Sequence, residues 1–146
     1  MAERTLLESI PRRPILSAAP HSSAYDAACR MSKAGCGSVL VLSPDGALVG
    51  IFTERDLMTR VVALARPPES TPLSEVMTPN PQVVGPQTSV HNAVVLMRQA
   101  GIRHLPILSS NAILGVFSIR DALPTELRDA DHLLDHLDQQ FSDVLA

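Results

Sequence analysis

The sequence predicts an α/β (α+β) fold: two copies of one β-α-β-β-α unit, packed with pseudo-two-fold symmetry, and a C-terminal helix. The strongest observation is a repeated motif, because residues 50–56 (GIFTERD) recur 65 residues later as residues 115–121 (GVFSIRD). A helical pattern that begins at Ser23 and ends at Gly35 also recurs 66 residues later, between Ser89 and Gly101. Two copies of one unit usually pack against each other to close a common core.

The first copy carries the pattern of each element in turn. Ser22 or Ser23 can cap a helix whose small and apolar residues recur every three or four positions. Gly35 ends that helix, because glycine enters the left-handed conformation cheaply. The expected elements are a strand over 14–18, this helix, strands over 38–42 and 47–52 joined by a Pro-Asp-Gly turn, and a helix from Glu54 to about Leu64 that Thr53 caps.

The second copy repeats this order. Its expected elements are a strand over 82–84, a helix from Thr88 or Ser89 to Ala100, strands over 103–108 and 112–117, and a helix opened by Ser118. Pro124 falls where the first copy continues its helix, and a proline inside a helix removes a hydrogen bond and clashes with the preceding turn. The helix after Ser118 is therefore expected to stop or kink near Leu123.

A last helix is expected from about Thr125 to Leu145. Its apolar residues form one stripe, with acidic residues opposite. They are Leu127, Ala130, Leu133, Leu134, Leu137, Phe141 and Val144. This stripe is expected to be buried, either against its own chain or against a second copy, and the second choice predicts a homodimer. His132 and His136 lie one turn apart on the helix, and a solvated acidic face explains them better than a metal site.

These patterns divide the chain into four parts. Residues 10–65 form the first repeat, 66–75 a linker rich in proline, serine and threonine, 76–123 the second repeat, and 124–146 the C-terminal helix. The length of 146 residues suits one compact domain or two small domains in close contact.

Composition narrows the class of function. Apolar residues make up 45% of the chain, and its core is built from aliphatic side chains, since it has no tryptophan. A net charge of −3 argues against a basic stripe for nucleic acid, and no apolar run of about 18 residues predicts a membrane span. Two cysteines without metal-ligand spacing, and an N terminus without an apolar signal core, indicate a reducing, cytoplasmic location.

Both closing motifs place a hydroxyl three residues before a carboxylate: Thr53 before Asp56, and Ser118 before Asp121. This is the spacing of a helix capping box, in which each side chain bonds the amide of the other residue. The same geometry suits a nucleotide, because a helix start favours phosphate and a carboxylate can accept both hydroxyls of a ribose. The residues alone leave both interpretations open.

The chain resembles the CBS-domain pair, the family named after cystathionine β-synthase. The resemblance covers about residues 14–123 and depends on the repeated helix with its glycine stop, the hairpin, and the closing Gly-hydrophobic-Phe-Ser/Thr-x-x-Asp motif. Residues 101–107 (GIRHLPI) are especially similar to the second strand of the family. Such pairs form two clefts between their repeats, and these clefts often bind AMP, ADP, ATP or S-adenosylmethionine.

The resemblance also implies which residues would bind the ligand. In the family the hydroxyl residue typically contacts phosphate and the aspartate contacts ribose. Arg103 and His104 could neutralise phosphate charge, whereas the first copy has Gly37 and Ser38 there; a surface arginine and a half-buried histidine are the equal alternative. Arg55 and Arg120, beside the aspartates, are further phosphate partners or form surface salt bridges. The candidate ligand-binding residues are Thr53, Asp56, Arg103, His104, Pro106, Ser118, Arg120 and Asp121.

The sequence contains no recognisable catalytic motif, so a binding module is predicted rather than an enzyme. It would need no cofactor, bind an adenosyl ligand as a regulatory signal, and pass that signal to an unknown effector protein. The alternative is a constitutive interaction or dimerisation module that binds no nucleotide and acts through its C-terminal helix. Pairs in this family commonly form flat homodimers, which agrees with the predicted self-association.

Overall fold

The structure, a computed structural model, describes residues 4–10, 14–122, 130 and 132–140. These residues divide into two compact units. The first unit comprises residues 14–81, and the second unit comprises residues 4–10 together with the described residues from Gln82 onward. Each unit contains one copy of the repeat, so the mixed α/β architecture is confirmed. The pseudo-two-fold packing of the copies stays a prediction.

The repeated elements have nearly the same bounds in both copies. The helices are α1 (Leu6–Ser9), α2 (Ala24–Ala34), α3 (Glu54–Asp56), α4 (Leu73–Val76) and α5 (Val90–Ala100). The strands are β1 (Ser17–Ala18), β2 (Ser38–Leu42), β3 (Leu48–Thr53), β4 (Thr78–Pro79), β5 (His104–Ser109) and β6 (Ala112–Ser118). Helix α3 continues as a π-helix over Leu57–Val62, and short 3₁₀ turns cover Pro68–Ser70 and Ile119–Asp121.

The first unit is a four-stranded sheet in the order β1-β2-β3-β4. Strand β1 runs parallel to β2, and the other neighbours are antiparallel. The predicted strand over 38–42 is confirmed, while the predicted strand over 14–18 is shortened to its last two residues. Behind the sheet, Ala27, Val39, Phe52 and Val61 are fully buried in one apolar core.

The sheet of the second unit is a hairpin of β5 and β6. A strand is predicted over 82–84, and the structure has an isolated parallel bridge there between Val84 and Ile107. The turn of the hairpin has Ser110 and Asn111 at φ of 49° and 69°. Two positive φ angles in a two-residue loop are those of a type I′ turn, which matches the twist of the strands. The core of this unit includes Val94, Met97 and Phe117.

The caps of the two long helices agree with the sequence predictions. The hydroxyl of Ser23 accepts a hydrogen bond from the amide of Asp26, and Ser89 caps α5 in the same way, each at 3.0 Å. Gly35 and Gly101 end these helices at φ of 66° and 68°. Both glycines therefore occupy the left-handed conformation that makes this residue type favourable there.

The segment predicted as a linker over 66–75 contributes to the core of the first unit. The amide of Ala24 donates to the carbonyl of Thr71, and the amide of Leu73 donates to the carbonyl of Ser22, both at 2.8 Å. Leu73 is fully buried, as is Val76 one turn later. Proline and threonine make this stretch resemble a linker, yet Leu73 within it and Val76 just after it are buried in the core.

Residues 4–10 make the equivalent contacts with the second copy. The amide of Leu6 donates to the carbonyl of Thr88 at 2.9 Å, and the amide of Val90 donates to the carbonyl of Arg4 at 2.8 Å. Leu6 is fully buried in the core of the second unit. Helix α1 thus packs against the second copy in the same way as α4 packs against the first.

The two copies differ after their closing motifs. The first copy has continuous helical structure from Glu54 to Val62, whereas the second has a single 3₁₀ turn. Ala122 follows that turn in an extended conformation, with ψ of 147°. The predicted early stop is confirmed, and Leu123 and Pro124 lie outside the described residues.

The C-terminal helix is described over residues 132–140, and Ala130 before it is also helical. Ala130 is fully buried in the core of the second unit. Leu133 is 40% exposed, and Leu134 and Leu137 are half-buried. The other members of the predicted stripe, Leu127, Phe141 and Val144, lie outside the described residues. Within the described ranges, no helix has the length and apolar character required to cross a membrane.

Candidate functional site

The closing motif of the first copy forms a capping box at the end of β3. The amide of Thr53 donates to Oδ2 of Asp56 at 3.0 Å, and the amide of Asp56 donates to Oγ1 of Thr53 at 3.2 Å. Asp56 is only 7% exposed. The structural interpretation of this motif is therefore confirmed, and it accounts for one of the two carboxylate oxygens.

The closing motif of the second copy has the same reciprocal arrangement. The amide of Ser118 donates to Oδ2 of Asp121 at 2.8 Å, and the capping box is complete. Ser118 is 6% exposed, while Asp121 is half-buried. The second aspartate is therefore the more accessible of the two.

Strand register brings His104 to the second closing motif. His104 is the direct antiparallel partner of Ser118, and the amide of Ile119 donates to the carbonyl of Arg103 at 2.9 Å. In the first copy, Ser38 is the partner of Thr53. His104 in the second copy and Ser38 in the first therefore occupy equivalent positions beside the two hydroxyl residues.

Pro106 and Arg120 complete the set predicted for the second copy. Pro106 is buried on β5, two residues beyond His104, and alternate residues of a strand share one face. The carbonyl of Pro106 accepts a hydrogen bond from the amide of Val84 at 3.1 Å. Arg103 and Arg120 are exposed. Six of the eight predicted residues thus belong to the second unit, and Thr53 and Asp56 belong to the first.

Sequence reasoning missed Arg60, which contacts Asp56. Its Nε lies 3.6 Å from Oδ1 of Asp56, the carboxylate oxygen that the capping box leaves available. One of its terminal nitrogens donates to the carbonyl of Met77 at 2.7 Å and to that of Val76 at 3.3 Å. The signal was present in the sequence, because residues four apart lie on one face of a helix.

The residue types near Ser118 in sequence and register are ones that recognise phosphate and hydroxyl groups. Arginine donates several hydrogen bonds to phosphate, and a carboxylate accepts them from a sugar diol. Among the described residues there is no group of three histidine, cysteine or acidic side chains that could hold a metal ion. The chemistry available here is recognition by charge and hydrogen bonding.

Comparison with known proteins agrees with these repeats. The sequence model of the CBS domain matches residues 7–63 and 73–125. An uncharacterized protein of Methanopyrus kandleri is 32% identical over 118 residues, which cover 80% of this chain and 60% of that relative. The chain thus spans less than two thirds of that relative's length.

Two solved structures have closely similar folds. A protein with CBS domains from Burkholderia ambifaria has a TM-score of 0.74 and 34% identity, covering 80% of this chain and 86% of that one. A CBS domain protein from Pyrobaculum aerophilum, solved in complex with AMP, has a TM-score of 0.75 and 26% identity. That comparison covers 88% of this chain and 98% of the other.

Proposed function

The chain belongs to the CBS-domain family, and from this premise we propose that it is a regulatory module that binds an adenosyl nucleotide. The observation that carries the proposal is the set of side chains around Ser118. A hydroxyl, a half-buried carboxylate and a histidine come together there on β5, β6 and the following turn. AMP, ADP, ATP and S-adenosylmethionine share the adenosyl group that this set would recognise.

Each residue of the set has a role that its chemistry suits. Asp121 would accept hydrogen bonds from the ribose hydroxyls, and Ser118 would donate one to phosphate. The turn after Ser118 has only three residues, so its dipole contributes little to phosphate binding. The phosphate charge would therefore be met mainly by Arg103, His104 and Arg120.

The capping box is compatible with this role. An ionised carboxylate has two oxygens and about four lone-pair sites, so the hydrogen bond from the amide of Ser118 does not by itself prevent Asp121 from accepting others. The AMP complex of the Pyrobaculum aerophilum protein supports an adenosyl ligand in a protein of similar fold. We expect binding of the ligand without catalysis.

A second function is favoured by the C-terminal helix. Leu133 is 40% exposed, with Leu134 and Leu137 only half-buried beside it. This surface could hold a second copy of the chain or the effector that receives the signal. In that alternative, the module is a constitutive interaction or dimerisation protein that needs no nucleotide, and both capping boxes serve only the fold.

A thermal melting scan with AMP, ADP, ATP and S-adenosylmethionine tests the proposal. A ligand present at 100 times its dissociation constant stabilises the folded protein by about 2.7 kcal/mol. We expect at least one of the four to raise the melting temperature. No shift with any of them, at millimolar concentration, would favour the interaction module.

The Asp121→Ala variant separates binding from capping. Loss of a capping side chain costs about 1 kcal/mol of folding stability. Loss of a ribose-binding carboxylate should in addition remove most of the ligand-induced shift. A variant that melts earlier but keeps its full shift would contradict the role of Asp121, and Asp56→Ala is the parallel test in the first copy.

A further inference from the structure

The turn between β2 and β3 contains the only position in the chain where an aspartate or asparagine precedes a glycine, Asp45-Gly46. Both residues are exposed. Because glycine has no Cβ, its backbone nitrogen is less hindered than that of any other residue type. An Asp-Gly pair is therefore the sequence at which a backbone nitrogen attacks the preceding side-chain carboxyl most readily.

This attack rearranges the main chain and needs no oxidant or cofactor. The nitrogen of Gly46 forms a bond to Cγ of Asp45, while the carboxyl OH leaves as water with the proton that the nitrogen gives up. The product is a five-membered succinimide ring, which water then opens. Water that cleaves the original peptide bond leaves isoaspartate, in which the main chain runs through Cγ, and water that cleaves the new bond restores aspartate.

Ser43 makes hydrogen bonds to both reacting groups. Its hydroxyl donates to Oδ1 of Asp45, and its carbonyl accepts from the amide of Gly46 at 2.9 Å. The hydroxyl oxygen is itself positioned by the amide of Ala47, which donates to it at 3.1 Å. One residue thus holds the carboxyl and the backbone nitrogen in separate hydrogen bonds, which have to break before the two groups can react.

The hydroxyl of Ser43 also makes the reactive form of the carboxyl scarcer. It lowers the pKa of Asp45 because it stabilises the ionised carboxylate, and a hydrogen bond from the backbone of Asp45 acts in the same direction. The carboxyl has to be protonated for its oxygen to leave as water. A lower pKa leaves a smaller protonated fraction at every pH above it.

We propose that Asp45-Gly46 is a site of spontaneous isoaspartate formation, and that Ser43 keeps this reaction slow in the folded protein. The inference does not depend on a nucleotide. Its consequence lies in the first repeat, since the turn joins β2 to β3, where Leu42 pairs with Leu48. An isoaspartate adds one carbon atom to the main chain of the loop and so changes the spacing of the residues that close it.

Prolonged incubation of the full chain tests the proposal, with isoaspartate at position 45 measured by peptide mapping. We expect Ser43→Ala to form isoaspartate several-fold faster than the unaltered chain. Ser43→Thr keeps the hydroxyl and should stay slow. Asp45→Glu should form no rearranged product, because its longer side chain would have to close a six-membered ring.

The pH profile separates the hydrogen bond from a general loosening of the fold. The rearrangement should slow as the pH rises through the pKa of Asp45. Ser43→Ala should move this decline to higher pH, because without the hydroxyl the pKa of Asp45 returns toward its ordinary value. A purely structural role of Ser43 would leave the position of the decline unchanged.

Two variants are controls for stability and for the loss of a hydroxyl. Leu73→Ala loosens the core of the first unit but lies outside the turn, and Ser109→Ala removes a hydroxyl at the end of β5, beside the other hairpin turn. Neither should accelerate the rearrangement as Ser43→Ala does. Equal rates in Ser43→Ala and the unaltered chain, or equal acceleration by Leu73→Ala, would overturn the inference. Absence of isoaspartate from every variant, Ser43→Ala included, would overturn it as well.

Discussion

At the scale of single residues, two glycines allow other side chains to approach the sheets closely. A Cβ atom added at Gly50 would lie 2.3 Å from the sulfur of Met77 and 2.9 Å from its Cγ. One added at Gly115 would lie 3.1 Å from Cγ2 of Ile10. Gly50 and Gly115 are equivalent in the two repeats, so each copy keeps space at this position for a side chain from its short helix segment.

We expect Gly50→Ala to destabilise the protein by about 1–3 kcal/mol, the usual cost of overpacking. Gly115→Ala should cost less, because its clash is milder and a shift of a few tenths of an ångström relieves it. Urea denaturation of the two variants measures the difference. A larger loss of stability in Gly115→Ala would contradict this prediction.

Two further variants test the cause. Gly85→Ala is the control, since a Cβ there would meet nothing within 4 Å, and it should be nearly neutral. In the double variant Gly50→Ala, Met77→Ala, the clash disappears. Its cost should therefore be smaller than the sum of the two single costs, as expected for residues in contact.

At the scale of elements, each copy of the repeat packs against the short helix that precedes the other copy in the chain: α4 for the first copy and α1 for the second. Leu6, Glu8 and Ile10 recur 67 residues later as the similar residues Leu73, Glu75 and Met77. Each segment precedes one copy in the chain, yet α4 packs with the copy before it and α1 with the second copy. A match of three residues over such short helices is too weak to notice in a single sequence.

The packing of α1 against the second copy predicts that Leu6→Ala destabilises the second unit. Leu6 is fully buried against residues of α5 and β5, and leucine to alanine at such a site costs about 2–5 kcal/mol. Amide hydrogen exchange should show the loss of protection first in residues 89–118. Leu73→Ala should produce the same effect in residues 24–62.

Leu7→Ala is the control for that pair. Leu7 is adjacent to Leu6 but 52% exposed, and surface substitutions usually change stability by less than about 0.5 kcal/mol. If Leu6→Ala exposed amides of the first unit before those of the second, the assignment of α1 to the second copy would be wrong.

At the scale of the whole molecule, the C-terminal helix contains both a buried residue and an exposed apolar residue. Ala130 is fully buried in the second unit, so part of the predicted stripe packs against its own chain. Leu133 stays 40% exposed three residues later. Truncation after Leu123, which would remove the whole helix, would therefore remove a core residue as well as the exposed surface.

A point substitution separates the two effects. We expect the full chain to sediment as a homodimer and Leu133→Glu to shift it toward monomer, because a carboxylate would have to lose its water in an apolar interface. The melting temperature of the Leu133→Glu variant should fall only by the amount that dimer formation contributes to stability. Asp135→Lys, on the acidic side of the same helix, is the control and should remain a dimer. A full chain that is monomeric at all concentrations would contradict self-association.

The sequence alone was sufficient for the long helices and the hairpin strands of both repeats, whereas the first strand of each repeat is shorter than predicted. Helices α2 and α5 could be predicted because their apolar spacing, serine caps and glycine stops are local signals with local physical causes. The capping boxes and the early end of the last turn in the second copy were predictable for the same reason. His104 and Ser118, two of the predicted ligand residues, are cross-strand partners because strand register follows from the hairpin.

Only the tertiary structure decided which segments complete which core, and how the guanidinium of Arg60 is oriented beside Asp56. The position of Leu6 depends on burial against residues more than 80 positions away, and no local pattern records that choice. The contact of Arg60 with Asp56 depends on how far the helix continues and on the carbonyls of Val76 and Met77, which orient the guanidinium. Long-range packing sets both, so two nearly identical motifs acquired different surroundings.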